Sequence, residues 1–378
     1  MTANKILQHY SGRLPAIIDA IREIVDIESP SLDADRSRTV VDWVEAQFRA
    51  TGVDLEFERE SCEDGDHLVI RAFSGEGKHT MLLGHTDTVH PVGTNELNPT
   101  RIEDGKLYGC GIFDMKANII LMIEALRFLN DQGLKPSRPI SIFLSCDEEI
   151  GSFSGRPILE RVAADAELCY VFEPSADGKV KTGRKGTGLF TVRTHGIPAH
   201  AGLEPEKGAN AIAELARHID KIHAIANPAV GTTVNVCTIK GGTTSNVIPE
   251  HAECEVDVRF SSMAEAERVD TAFRSLRSGD ERVSLTIDGG INRPPMERTA
   301  SVVELYENAQ RLASGFGYKL GETQVGGASD GNFVAALGVP VLDGLGISGA
   351  GAHTLGEYIL VSDIANRAAL VTLLLSAA

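Results

Sequence analysis

Three short apolar runs in this chain each stop on a histidine or a carboxylate, and that coincidence narrows the folds open to it. Thr80 to Leu83 leads into Gly84-His85-Thr86-Asp87. Ile140 to Ser145 leads into Cys146-Asp147-Glu148-Glu149, and Leu168 to Phe172 leads into Glu173. Each run has strand length and is bounded by Gly, Pro or polar residues. In an open α/β sheet the carboxyl ends of such strands converge on one crevice, where ligands bind. One histidine or acid at a strand end is ordinarily structural. Several at the ends of buried-looking strands point to a shared site.

The surrounding pattern suits that sheet. Apolar residues at helical spacing predict helices over Leu14 to Val25, Thr39 to Ala50 and Met115 to Asn130, with a further strand over His67 to Phe73. Alternating helices and strands imply a sheet with helices on both faces. Beyond the stretch Gly183-Arg184-Lys185-Gly186 the pattern changes. Strands are expected at Leu189 to Thr194, Thr233 to Ile239, Ala252 to Phe260 and Val283 to Asp288, with helices at Ala209 to Ile222 and Ala264 to Arg277. After Asn292-Arg293-Pro294-Pro295 the α/β pattern resumes, with a helix at Ser301 to Gly315 and a strand at Val339 to Leu342. A chain of 378 residues exceeds the usual size of one core. The expectation is therefore an α/β domain formed by residues 1–184 and 293–378, its mixed sheet covered by helices, with a smaller α+β domain inserted at 185–292.

Two more residues complete a donor set. Asp114 stands just before a helix in GCGIFDMKAN, and His353 lies in the glycine-rich loop GAGAHT. With His85, Glu149 and Glu173 they make two imidazoles and three carboxylates, a mixed nitrogen and oxygen set suited to zinc or a similar divalent ion. A shared aspartate can bridge two ions. Asp147-Glu148-Glu149 has a plainer reading too, as a turn capping the next helix. Cys110 and Cys146 lie near these runs but lack paired spacing, so thiolate ligation is not expected. The six cysteines are scattered, and with no charged-then-apolar leader at the N-terminus they read as reduced thiols of a cytoplasmic protein. A net charge of −17 argues against nucleic acid as a partner. No apolar stretch has the length of a membrane span.

The runs GHTDTV, GCGIFDMKAN, DEEIGS, FEP, AHAG, SNVIP, GGASDG and GAGAHT, in that order along the chain, resemble the zinc exopeptidase family of carboxypeptidase G, acetylornithine deacetylase, succinyl-diaminopimelate desuccinylase and aminoacylase. The wording is nearest to carboxypeptidase G. The resemblance implies two zinc ions bridged by Asp114, one also held by His85 and Glu173, the other by Glu149 and His353. It makes Asp87 the carboxylate that orients His85, and Glu148 the general base. It implies that the inserted domain is a lid and dimerisation domain, and that His200 in GIPAHAG reaches the neighbouring subunit's site, so that the enzyme works as a homodimer. Asn246, Arg259 and Arg293 match lid or hinge positions associated with the substrate carboxylate, which a guanidinium fork fits geometrically. Arg259 alone would otherwise read as a sheet-edge charge, and His200 as a surface histidine.

The implied reaction is hydrolysis of a peptide or N-acyl amide bond next to a free carboxylate, with the acyl group left open between a glutamate carboxypeptidase and an N-acyl-amino-acid deacylase. A catalytically silent binding protein of the same fold would be expected to have lost Glu148 or a ligand, and none is missing. Lys179, Lys181, Arg184 and Lys185 form a more basic stretch than carboxypeptidase G leads one to expect. They suit either an acidic acyl group or a solvated linker.

Overall fold

A computed structural model describes residues 1–377. The chain forms two compact units: Met1–Gly183 with Arg298–Val325 and Ser329–Ala378, and Arg184–Glu297 with Gly326–Ala328. Among the described residues no helix is long and apolar enough to cross a membrane.

The first unit is built on a six-stranded mixed sheet. Its spatial order is Leu55–Ser61, Asp66–Ala72, Ile140–Ser145, His79–His85, Ala166–Val171 and Val341–Leu342. The first two strands form an antiparallel hairpin, and Asp66–Ala72 also runs antiparallel to Ile140–Ser145. The remaining four are mutually parallel. His79–His85 is therefore flanked on both sides by parallel strands, with His85 level with Ser145 and Leu83 level with Val171. The period of two sends Leu82, Ile142 and Tyr170 to one face and Leu83, Phe143 and Val171 to the other, and all six are buried. Helices Ala3–Asp26, Ala117–Asp131 and Val361–Ala377 share the core of the Leu82 face. Gly155–Ala163 and Gly331–Ala336 pack on the opposite one; a Cβ on Gly331 would lie 3.0 Å from the Val171 side chain.

Several boundaries differ from those read in the sequence. The first helix starts at Ala3, because Ile6 and Tyr10 continue the buried stripe of Ile17, Ile21 and Ile24, and Pro15 is accommodated inside it. The second starts at Ala34, capped by Asp33, whose side chain accepts from the Arg36 amide at 3.1 Å. The helix after Asp114 begins at Ala117, behind a π-turn over Ile112–Lys116. A small four-stranded sheet of Arg101–Glu103, Lys106–Tyr108, Gly349–Ala350 and Tyr358–Leu360 had no signal in the sequence. Its strands are too short to show a period.

The second unit is a four-stranded antiparallel sheet in the order Thr233–Gly241, His251–Phe260, Gly186–His195, Ser284–Arg293. Phe190, Val192, Cys254, Val256, Val258 and Phe260 alternate into a core covered by Ala211–His223 and Met263–Arg274. The rings of Phe190 and Phe273 stack at 4.0 Å. On the outer face Arg193 pairs with Glu253 and Asp288.

Leu82 is fully buried at the centre of the first sheet. Leu82→Ala is expected to destabilise the protein by about 2–5 kcal/mol through the lost burial and the cavity left behind. The urea midpoint should fall with the slope of the transition unchanged. An unmoved midpoint would mean that this strand does not carry the core.

Candidate metal centre

The parallel strands deliver three of the acid and histidine runs to one edge. His85 is the last residue of its strand, Glu149 lies in the short turn Glu148–Ile150 beyond Ile140–Ser145, and Glu173 follows Ala166–Val171 by two residues. The small sheet brings in the other two. Lys106–Tyr108 pairs with Tyr358–Leu360, so the loop leading to Asp114 and the loop carrying His353 leave adjacent strands. The Asp114–Met115 peptide bond is cis.

These five side chains form two trios that share Asp114. His85, Asp114 and Glu173 make one, and Asp114, Glu149 and His353 the other, with the donor atoms of each trio within 4.8 Å of one another. His85 Nε2 lies 3.2 Å from Asp114 Oδ1 and 3.6 Å from Glu173 Oε1. His353 Nε2 lies 3.4 Å from Asp114 Oδ2 and 3.1 Å from Glu149 Oε2. Asp114 thus turns one oxygen to each trio. Donors about 2.0–2.2 Å from a tetrahedral zinc sit roughly 3.3–3.6 Å apart, and the four contacts here, 3.1 to 3.6 Å, lie close to that spacing. The Glu149 Oε1 atom is buried with no hydrogen-bond partner among the described residues. Donor chemistry, spacing and this bare carboxylate oxygen all fit a divalent cation.

The electrostatics demand positive charge. Burial, with Asp114 and Glu148 adding, pushes the Glu149 carboxyl up to about 8. The hydrogen bond to Asp114, reinforced by the charge of Glu149, raises His353 to about 9. Burial opposes the charged form of His85, but hydrogen bonds to Asp114 and Asp87 outweigh it and hold the ring well above its ordinary value. The imidazoles are drawn into the cationic role that a metal ion would otherwise fill. His85 is buried and His353 is half-exposed, so the second trio faces solvent.

Asp87 orients two parts of the site at once. His85 Nδ1 lies 3.0 Å from the Asp87 carbonyl oxygen and 3.3 Å from its Oδ1. The same carboxylate accepts from the amides of Glu148 and Glu149 at 3.2 and 3.1 Å and from the Ser31 hydroxyl at 2.7 Å. Asp147 takes the capping role: its Oδ2 accepts from the amides of Ser154 and Gly155, at 2.8 and 3.2 Å, where the Gly155–Ala163 helix starts. The Asp-Glu-Glu run is therefore divided between a helix cap and the centre. Cys110 and Cys146 stand outside both trios.

His200, Asn246, Arg259 and Arg293 belong to the second unit. His200 and Asn246 meet on a short ribbon, where His200 pairs with Val247 and the Ala201 amide donates to the Asn246 carbonyl at 2.9 Å. Both side chains are exposed. The Arg259 guanidinium is held by Asp257, with contacts of 2.8 to 3.1 Å. Arg293 ends its strand and is buried.

Two buried acids escaped the sequence reading. Glu357 accepts from the amides of Gly111, Phe113 and Asp114 at 2.9, 2.7 and 2.9 Å, and from His90 Nε2 at 2.8 Å. It fixes the loop that carries the shared ligand. Asp330, within the GGASDG run, accepts from Ser145 at 3.2 Å and from Ser152, tying the strand end to the turn beyond Glu149. Both lie in runs that look like ordinary polar turns. Of the two, only Asp330 lies in a run that carries the family resemblance.

Glu357→Gln keeps the volume but aims an amide N–H₂ at a nest of N–H donors. Divalent-ion affinity is expected to fall roughly 10–100-fold, as for other residues that orient ligands, and titration calorimetry measures it. Unchanged affinity in a folded variant would show that the Asp114 loop does not depend on Glu357.

Comparison with known proteins identifies the family. Residues 81–377 match the family model described as peptidase family M20/M25/M40. Carboxypeptidase G2 of Pseudomonas sp. (strain RS-16) is 29% identical over 96% of this chain and 89% of its own. The succinyl-diaminopimelate desuccinylase of Delftia acidovorans is 31% identical over 77% of this chain and 80% of its own. Among solved structures, the aminopeptidase PepT from Bacillus cereus shares the fold with a TM-score of 0.77 at 23% identity, covering 96% of this chain and 98% of that one. The chain belongs to the M20/M25/M40 peptidase family and is an enzyme of metallopeptidase or amidohydrolase type.

Proposed function

We propose that the protein is a two-zinc hydrolase that cuts a peptide or N-acyl amide bond next to a free carboxylate, most like a glutamate carboxypeptidase. The observation that carries this reading is the pair of donor trios sharing Asp114. Two divalent ions held there would acidify water and polarise the amide carbonyl. His85 and Glu173 would hold one, Glu149 and His353 the other. With Glu149 committed as a donor, proton transfer falls to Glu148, whose backbone is anchored on Asp87. Glu148 takes a proton from water as the oxygen attacks the amide carbon. It returns that proton to the nitrogen as the C–N bond breaks, and with the second proton of the water also passed to the nitrogen the products are a carboxylate and an ammonium group.

His200 is assigned to the developing oxyanion, as a donor that gains most when negative charge appears. It is exposed on the second unit, which supports a role toward another copy of the chain and hence a homodimer, with the second unit as lid and dimerisation domain. Arg293 and Asn246 are assigned to the substrate carboxylate. Arg259 would have to exchange Asp257 for the substrate. Six free cysteines support a reducing, cytoplasmic setting. The glutamate-releasing version rests on the full-length similarity to carboxypeptidase G2. The relative named a succinyl-diaminopimelate desuccinylase favours a second reading, an N-acyl-amino-acid deacylase.

A panel of N-acyl amino acids and dipeptides, each as free acid and as C-terminal amide, assayed with zinc, cobalt and manganese, separates these readings. The acids should be cleaved and the amides poorly. Arg293→Ala should lower kcat/KM for the acids by roughly 10–150-fold, the worth of a lost charge-assisted contact of about 1.5–3 kcal/mol. Equal losses on acids and amides would remove Arg293 from carboxylate recognition.

Glu148→Gln should retain metal and lose at least ~10²–10⁴-fold in turnover, and His200→Ala homodimers should also be nearly inactive. If His200 serves the neighbouring chain, mixing and exchanging the two variants creates dimers in which one site has both groups intact. Recovery of roughly a quarter of wild-type activity is expected from two-fold symmetry. No recovery, with exchange verified by mass spectrometry, would defeat the assignment across the dimer.

A further inference from the structure

Outside the metal centre, two thiols distant in sequence face each other. Cys62 Sγ and Cys146 Sγ are 3.7 Å apart across 84 residues. Cys62 opens the turn between Leu55–Ser61 and Asp66–Ala72, closed by its amide donating to the Gly65 carbonyl at 2.8 Å. Cys146 is the first residue past Ile140–Ser145, and Leu68 pairs with Leu144, so both cysteines lie at one end of the sheet. Cys62 is partly exposed and Cys146 is buried.

His67 makes a third neighbour, with both ring nitrogens 3.7 Å from Cys146 Sγ. The trio resembles a metal site, but the imidazole is already engaged. Its Nδ1 accepts the Cys146 amide at 3.3 Å, so Nε2 carries the proton and donates to the Ser154 hydroxyl at 2.9 Å. A cation here would have to break that chain. Two thiols meeting beside a neutral imidazole are better placed to react with each other.

We infer that Cys62 and Cys146 form a reversible disulfide, a modification site for peroxide-class oxidants at the edge of the catalytic turn. The Cys62 thiolate attacks one peroxide oxygen, the O–O bond breaks, and hydroxide leaves as water, giving a sulfenic acid. Cys146 sulfur then attacks the Cys62 sulfur and the S–O bond breaks. The hydroxyl departs as a second water with the Cys146 proton. Two thiols have together reduced one peroxide. A dithiol reverses the step by exchange. The sulfurs must close by roughly 1.6 Å to reach a bond of about 2.05 Å. Cys62 sits in the hairpin turn between exposed Ser61 and Glu63 and is the one expected to shift, whereas Cys146 is buried. Cys62 is partly exposed and Cys146 is buried, which makes Cys62 the first to be oxidised and Cys146 the resolving partner.

The test treats the full-length protein with stoichiometric hydrogen peroxide, alkylates the remaining thiols and maps peptides without reduction. A cross-linked peptide joining Cys62 to Cys146, abolished by dithiothreitol and absent in Cys62→Ser, is expected. The oxidised protein should melt roughly 3–8 °C higher, because the bond closes a long loop in the unfolded chain. In Cys146→Ala the reaction should stop at a Cys62 sulfenic acid that dimedone traps. Oxidation of Cys62 to sulfinic acid with Cys146 still alkylatable, or a cross-link to another cysteine, would overturn the assignment.

Discussion

Asp114, Glu149, Glu173 and Asp87 are gathered around His85 and His353, in surroundings that are mostly buried. Like charges this close repel, and burial removes the water that would screen them. Such a cluster persists only where cations or N–H donors compensate it, and the chain supplies the donors in layers. The two imidazoles face the carboxylates directly, and behind them backbone amides neutralise the acids that do not face the centre. The centre and its support thus solve one electrostatic problem, and the way strands, turns and loops are joined in the first unit follows from it.

The supporting acids share one device. Asp87 accepts two backbone amides, Asp147 accepts two, and Glu357 accepts three. A carboxylate that accepts from several backbone N–H groups fixes the loop that supplies them. Each acid is spent on a different segment: Asp87 on the Glu148–Glu149 turn, Asp147 on the helix start at Gly155, and Glu357 on the loop before Asp114. Ligand geometry is therefore set by residues that do not themselves face the shared centre.

The cysteine pair occupies the same turn from the other side. Cys146 directly precedes Asp147, and its partner sits on the edge hairpin of the sheet. That hairpin forms one edge of the six-stranded sheet. A bond there would tie the edge hairpin to the segment that carries Glu148.

The alternation and length of the apolar runs were enough to place most helices and strands, and the residues ending three of those runs, His85, Glu149 and Glu173, lie in the two trios that the fold brings together around Asp114. Strand ends are a local property, since a parallel sheet gathers them at one edge whatever the loops between do. The Asp-Glu-Glu run carried both a capping and a ligating signal, and only the path of the turn assigned the cap to Asp147 and the centre to Glu149. Glu357 is 243 residues from Asp114, whose amide it holds, and Cys62 is 84 from Cys146. The small sheet that seats the His353 loop beside the Asp114 loop is made of strands two or three residues long. Periodicity records what a residue does within its own element. Which distant amide or thiol it meets depends on how the elements are stacked, and only the tertiary structure decides that.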